Sequence, residues 1–197
     1  MEFFVINVKN YNMLMFLYGK DSYRRQKKAA TIIEEYRKKY SDLSLGYFDL
    51  ANDGEFSRLK EFSSQMLIFD NKKMAVLKNA FEIDLNGLKE FLKKYLKSED
   101  LTVLISEENS PAELKSVLNK AFSSEKIEPL TDEEWRFFIQ KEAKQKDIQL
   151  SSQSVYFLSR IFKNDAWGLI NELNKISLVT KKGLIEPADL DKMGIYS

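Results

Sequence analysis

The stretch whose residue types could do chemistry is Gly19-Lys20-Asp21-Ser22, a turn between the apolar run Met13-Leu14-Met15-Phe16-Leu17-Tyr18 and a charged segment with helical spacing. A glycine, a lysine and a hydroxyl at a strand-to-helix turn are the ingredients of a phosphate site, because the first backbone N–H groups of the helix point into the turn. On that reading Lys20 would reach phosphate and Ser22 would hold Mg²⁺. The spacing argues against it. A phosphate-cradling loop follows G-x-x-x-x-G-K-[ST], whereas here Gly19-Lys20 runs into Asp21, and the position five before Gly19 is Leu14, inside the apolar run. Asp21 also brings a carboxylate to the helix start, where it can cap the orphan N–H groups and would repel a phosphate. Gly19, Lys20, Asp21 and Ser22 therefore read as a degenerate phosphate loop, a capped turn that keeps the position of the loop without its means.

The rest of the composition narrows the chemistry further. The 197 residues include no Cys and no His, which excludes disulfides, thiolate chemistry and the commonest general base and metal ligand. Any hydrolytic or metal mechanism would rest on carboxylates alone, and no catalytic residue, metal ligand or cofactor is expected. Lys and Arg number 31 against 30 Asp and Glu, a formal charge of +1, so nothing pulls the whole chain towards nucleic acid or an anionic membrane. With 44% hydrophobic and 31% charged residues the chain has the composition of a globular protein. It contains no apolar run of about 18 residues, and its N-terminus does not read as a secretory signal. A cytoplasmic protein with no membrane partner is expected.

The elements that would position the turn follow from periodicity. The run from Met13 to Tyr18 reads as a central strand of a parallel sheet. After it, Tyr23, Ala29, Ile32, Ile33, Tyr36 and Tyr40 recur at helical spacing, and Arg24, Arg25, Lys27, Lys28, Arg37, Lys38 and Lys39 mostly take the opposite face. That basic face is a possible DNA contact, with Tyr23 placed to stack on a base. A second strand is expected within 43–50, then a helix capped by Asp53 with Phe56, Leu59, Phe62 and Met66 on one stripe. Met66-Leu67-Ile68-Phe69 continues apolar beyond that helix, up to a turn at Asp70-Asn71-Lys72-Lys73. Four large apolar neighbours at a helix exit cannot all face one core. The strand Met74-Ala75-Val76-Leu77 ends in Lys78-Asn79, where a nucleotide hydrolase of this build needs acidic residues for Mg²⁺. An amphipathic helix capped by Asp84 follows, then the strand Leu101 to Ile105. Ser110-Pro111-Ala112-Glu113 reads as a capping box opening a helix with Leu114, Val117, Leu118, Ala121 and Phe122 inward. A short strand over Lys126-Ile127-Glu128-Pro129-Leu130 closes the alternation.

From Thr131-Asp132-Glu133-Glu134, a second capping box, the pattern becomes all-helical, with stripes at Trp135, Phe138, Ile139 and Ala143, at Val155, Leu158, Ile161 and Phe162, and at Leu169, Ile170, Leu173 and Ile176. The expected fold is α/β followed by all-α, an α/β domain over 1–129 and a small helical domain over 130–197.

That order, an α/β layer with a degenerate phosphate loop and then a small helical bundle, is that of an AAA+ module with its lid. In detail the chain resembles the DNA polymerase III delta subunit family, the clamp-loader wrench. The resemblance lies in Phe16-Leu17-Tyr18-Gly19-Lys20-Asp21-Ser22-Tyr23 and in Ile68-Phe69-Asp70-Asn71-Lys72-Lys73-Met74-Ala75-Val76-Leu77-Lys78-Asn79. In the second half it lies in Trp135, Ile139, Glu142-Ala143, Asn164-Asp165-Ala166-Trp167 and Asn171-Glu172-Leu173-Asn174-Lys175. It implies a degenerate AAA+, P-loop NTPase-like sheet domain with a helical lid. It also implies a non-catalytic part in a DNA polymerase III assembly, with the ring-shaped beta sliding clamp as partner and DNA approached indirectly. The clamp-binding residues carried over are Ile68 and Phe69, with Met66 and Leu67 beside them. The four-residue apolar run leaves the register of the pair open by one residue, and the bland alternative is that Ile68 and Phe69 are core. Family members carry a third helical domain, a collar through which other clamp-loader subunits assemble. The resemblance runs as far as Ser197, where a collar would begin, so this stretch is expected to hold a clamp but not to join a loader ring through a collar. The alternative function is a degenerate AAA+ scaffold, or a DNA-binding module acting through the basic helix 24–39. A receiver-type phospho-acceptor domain, suggested by strand order alone, lacks the acidic cluster it needs.

Overall fold

Alternation of buried residues on both sides of each strand builds the first half of the molecule. The computed structural model describes residues 14–65, 72–179 and 183–195, and the chain divides into two compact units, Met1–Ile127 and Glu128–Ser197. In the first unit, β1 (Leu14–Tyr18), β2 (Leu45–Asp49), β3 (Lys73–Lys78), β4 (Leu101–Glu107) and β5 (Ser123–Lys126) form one sheet in the order β2-β3-β4-β1-β5. All four pairings are parallel, with Leu14 opposite Val103 and Met74 opposite Thr102. Parallel strands need crossovers. These are α1 (Ser22–Arg37), α2 (Glu55–Ser64), α3 (Leu85–Tyr95) and the short α4 (Lys115–Leu118).

Strands β1, β3 and β4 each contribute to two cores, because successive side chains point to opposite faces. Leu14 and Phe16 of β1, Ala75 and Leu77 of β3, and Leu101, Val103 and Ile105 of β4 pack with Leu59 of α2, with Leu88, Phe91 and Leu92 of α3, and with Val117 and Leu118 of α4. Met15, Leu17, Met74, Val76 and Leu104 face the other way, onto Ala29, Ile32, Ile33 and Tyr36 of α1. Full burial of each large aliphatic or aromatic side chain stabilises by about 1.5–3 kcal/mol, so the periodicity that marks the elements also fixes which face each presents. Asp84 caps α3 as its position foretells, accepting from the backbone N–H groups of Asn86 and Gly87.

Several local expectations are corrected. Helix α2 starts one residue later than an Asp53 cap requires: the N-cap is Gly54, at φ +80°, and it offers no side chain to the helix. The Ser110 capping box does not form. Pro111 is extended, a single 3₁₀ turn Ala112–Leu114 follows, and α4 is only one turn long. Phe122 does not join its stripe, because its N–H already donates to the Leu14 carbonyl at 3.0 Å at the sheet's edge, and its ring is exposed. The last strand is Ser123–Lys126, not 126–130. Pro129 could not donate to a ladder. Lys73 belongs to β3 and not to a turn.

The second unit holds α5 (Asp132–Gln145), α6 (Ser152–Phe162), α7 (Ala166–Val179) and α8 (Pro187–Lys192). The Thr131–Glu134 capping box is complete, and Trp135, Phe138, Ile139, Val155, Leu158, Leu169, Leu173 and Ile176 are buried. Ile161 and Phe162 are only half-buried. A feature without a sequence signal is a two-residue parallel pair, β6 (Gln149–Leu150) with β7 (Leu184–Ile185), to which Ser154 adds an Oγ–H donated to the Ile185 carbonyl at 2.7 Å.

Candidate functional site

In an open parallel sheet, ligands sit outside the carboxyl ends of the strands, where the strand order reverses. Here that place is the end of β1, between β4 and β5, so the degenerate loop lies where a ligand would bind. The chain's own groups occupy it. Gly19 is buried at φ +123°, and its N–H donates to the Glu108 carbonyl at 3.0 Å. Its carbonyl accepts from the Arg25 guanidinium, and the neighbouring Tyr18 carbonyl accepts from the N–H of Ile127 at 2.6 Å. A Cβ on Gly19 would overlap the Ile127 carbonyl, lying 2.8 Å from its carbon. The glycine is thus needed for a close approach of the chain to itself. Asp21 caps α1 by accepting from the Arg24 backbone N–H at 3.0 Å, and it receives the Arg24 side chain at 3.4 Å. Lys20 is exposed.

The remaining residues of this edge do not fit a nucleotide and its magnesium ion. Lys78 and Asn79 stand at the end of β3, and Asn79 donates its amide to Asp49 at 2.7 Å. Glu107, at the end of β4, accepts from the Ala80 N–H at 2.7 Å. Burial pushes its carboxyl above the usual range. The Ala80 hydrogen bond and the Arg25 charge oppose the rise, and Glu82 and Asp49 add to it. Arg25 keeps a buried Nε–H with no hydrogen-bond partner among the described residues, so the guanidinium is held by Gly19 and by the field of Glu107 more than by full pairing. Among the described residues no group of three carboxylates, histidines or cysteines could hold a metal ion, and no helix is long and apolar enough to cross a membrane.

The basic face of α1 is engaged within the chain. Arg24 pairs with Asp21, Lys28 with Glu125 and Arg37 with Asp42 at 3.3 Å. Lys27 lies 5.8 Å from the centroid of the Tyr23 ring. Of the four residues named as possible DNA contacts, Arg24, Arg25 and Lys28 thus already have acceptors, and Lys27 sits over the tyrosine that would stack on a base.

The clamp-binding candidates Met66, Leu67, Ile68 and Phe69 lie outside the described residues. The residues on either side are described, and they hold a feature that sequence reading missed. Lys73 opens β3 with only 6% of its surface exposed. Its Nζ donates to the carbonyls of Phe62 at 2.5 Å, Ser63 at 3.0 Å and Gln65, at the end of α2. Burial pushes this ammonium below the usual lysine value, and Asp100 opposes the shift. The signal in the sequence was a lysine placed directly before a fully apolar strand.

No protein-family model matches the sequence, and no curated protein matches it by sequence. The structure does resemble solved ones. It superposes on the Bacillus subtilis DNA clamp loader delta protein YqeN with a TM-score of 0.55 and 16% identity, covering 91% of this chain and 57% of that one. The Thermotoga maritima RuvB Holliday junction branch migration motor gives 0.61 at 9% identity, over 93% of this chain and 61% of that one. Domain III of the Thermotoga maritima replication initiation protein DnaA gives 0.57 at 15% identity, over 92% and 78%. The chain has an AAA+-like fold. Its parallel sheet unit and the helical unit after it match the sheet domain and lid of that fold, and the chain spans about 57% of the delta protein's length. Identities this low speak to the AAA+-like fold alone.

Proposed function

We propose that this chain is a non-catalytic AAA+-like scaffold in a DNA-processing assembly, working through protein contacts and not through nucleotide turnover. The observation that carries this reading is the occupied switch point. The Gly19 N–H, which a phosphate loop would turn to its ligand, is spent on the Glu108 carbonyl, and the Gly19 carbonyl holds the Arg25 guanidinium in the loop. Asp21 caps the helix that would otherwise face phosphate, and Lys78-Asn79 stand where magnesium would need carboxylates. Catalysis relies on aligned donors and metal ligands at the transferring phosphate, and these residues offer neither.

Within that frame the finer reading is a clamp-loader delta-like module that binds the beta sliding clamp through Met66, Leu67, Ile68 and Phe69 and helps open the ring, approaching DNA indirectly. The residue order along the chain supports it, as does structural similarity to a delta protein over nine-tenths of the chain. A few large apolar side chains filling a dry pocket can dominate such an interface. Association with other loader subunits would require a collar domain. Surface plasmon resonance against a purified bacterial sliding clamp tests the reading. Binding is expected for the wild type and loss of binding for Ile68→Ala/Phe69→Ala with an unchanged circular dichroism spectrum. Clamp binding that survives the double substitution removes this site. Direct DNA binding through α1 is the competing outcome. It would appear as salt-sensitive affinity for DNA, lost on Lys27→Ala/Lys28→Ala.

A further inference from the structure

We infer that the lateral edge of β2 is an interaction surface for a second copy of this chain, which adds its own β2 antiparallel about a two-fold axis through Gly46. Among the described residues β2 pairs only with β3 and so ends the sheet on that side. The Leu50 N–H donates to the Lys78 carbonyl at 2.9 Å, and backbone groups alternate in direction along a strand of a ladder. Gly46 and Phe48 therefore bond to β3 as Leu50 does, and Leu45, Tyr47 and Asp49 turn their N–H and carbonyl groups outward.

Most of these outward groups are occupied within the chain. The Leu45 N–H donates to the Asp42 carbonyl, closing the 3₁₀ turn Asp42–Ser44. The Arg58 guanidinium donates to the Tyr47 carbonyl, with its Cζ 4.4 Å from the centroid of the Phe48 ring. The Asp49 N–H donates to Glu55 Oε2 at 3.3 Å, and the Asp49 carbonyl accepts from the Asn52 N–H at 3.0 Å. Glu55 and Arg58 are themselves paired at 2.6 Å. Among the described residues the Leu45 carbonyl and the Tyr47 N–H have no partner.

These are the groups that a two-fold pairing consumes. In an antiparallel ladder, residues facing each other in a non-hydrogen-bonded pair are flanked by one N–H···O=C bond on each side. With Gly46 opposite its copy, the Tyr47 N–H donates to the Leu45 carbonyl of the second copy, and symmetry supplies the reverse bond. Nothing the single chain already makes has to break. Gly46 brings no side chain to the point where the strands come closest, and beside it Leu45 faces Tyr47 of the second copy, an apolar cross-strand pair. Tyr47 is 44% exposed in the single chain. A free peptide would have to order its whole backbone to dock here, whereas a second β2 arrives already extended. Glu55 and Arg58 confine the contact to this window, as charges on an edge strand do. Water satisfies the window in the single chain, so the association is weak.

Sedimentation velocity of the purified chain over a concentration series tests the pairing, and a weak dimer is expected. Tyr47→Pro removes the outward N–H and leaves the ladder to β3 intact, since an edge position tolerates proline. It should weaken association by more than about tenfold. Arg58→Ala uncovers the Tyr47 carbonyl and takes bulk and charge off the edge, and should tighten association roughly fivefold. A reading that needs no variant comes from NMR of a mixture of isotopically labelled and unlabelled wild type, where an intermolecular NOE between the Gly46 Hα protons is expected. Wild type and Arg58→Ala that both stay monomeric at the highest soluble concentration overturn the pairing. So does association unchanged in a folded Tyr47→Pro, or a dimer that lacks the Gly46 NOE.

Discussion

The two edges of the one sheet have been treated in opposite ways. At the carboxyl edge, where α/β proteins place their ligands, the chain has turned its own groups inward: the Gly19 amide and carbonyl, the Asp21 carboxylate and the Arg25 guanidinium are all used at home. At the amino edge, where no chemistry is expected, it has buried a charge, Lys73, on the end of α2. The difference shows how each edge spends its polar groups. At the first edge the loop's backbone is spent within the chain, while at the second a costly buried ammonium closes the end of α2.

The largest expected effect lies at the closed edge. Gly19→Ala must place a Cβ against the Ile127 backbone at φ +123°, and unfolding by denaturant should show a loss of about 2–4 kcal/mol. An unaffected stability would mean that the loop has room, and that the edge is not closed. Lys73→Met comes next. It leaves three carbonyls without their donor but also removes a desolvated charge, so a net loss of about 1–2 kcal/mol is expected. A stabilised variant would show that desolvation of the ammonium outweighs its three hydrogen bonds.

Glu107 gives a smaller, pH-dependent effect. Its carboxyl holds a proton more tightly in the fold than in the unfolded chain, because burial outweighs the Ala80 hydrogen bond and Arg25. That contribution is complete below the ordinary glutamate value and is lost as pH rises through the raised one. Stability curves should therefore fall slightly across this window in the wild type and stay flat there in Glu107→Gln; parallel curves would count against a buried carboxyl at this edge. Smallest of all, Arg24→Ala and Lys28→Ala should each change stability by no more than about 0.5–1 kcal/mol, because their partners are partly exposed. A larger loss from Lys28→Ala would show that its bond to Glu125 helps hold β5 in the sheet.

Much of the frame was legible in the residues. The apolar runs of β1, β3 and β4, the Asp21, Asp84 and Thr131 caps and the stripes of α1, α3 and α5 are local signals, and local signals survive folding. The failures have physical causes. Ser123-Ser124-Glu125-Lys126 carries no apolar alternation, since an edge strand needs only its backbone to pair with β1. Ser110-Pro111 spells a capping box, but the connection allows only a 3₁₀ turn and one turn of helix before the chain must return to β1. Gly54 takes the cap from Asp53 through its left-handed backbone, and a glycine there outbids a carboxylate one residue earlier. At the candidate site, the absence of a phosphate motif could be read directly. That Arg25 closes the loop could not, because its acceptor is a backbone carbonyl six residues away. The burial of Lys73 was hidden for the same reason: its partners are carbonyls, which every residue possesses.

The measurement closest to the central claim is calorimetric titration of the purified chain with Mg-ATP. Because the Gly19 backbone is committed to Glu108 and Arg25 and the end of β3 offers Lys78 and Asn79, no binding heat is expected, and Lys20→Ala should be indistinguishable from the wild type. A saturable heat abolished by Lys20→Ala would show that the carboxyl edge still opens to phosphate, and would contradict the reading of this chain as a scaffold that works through protein contacts alone.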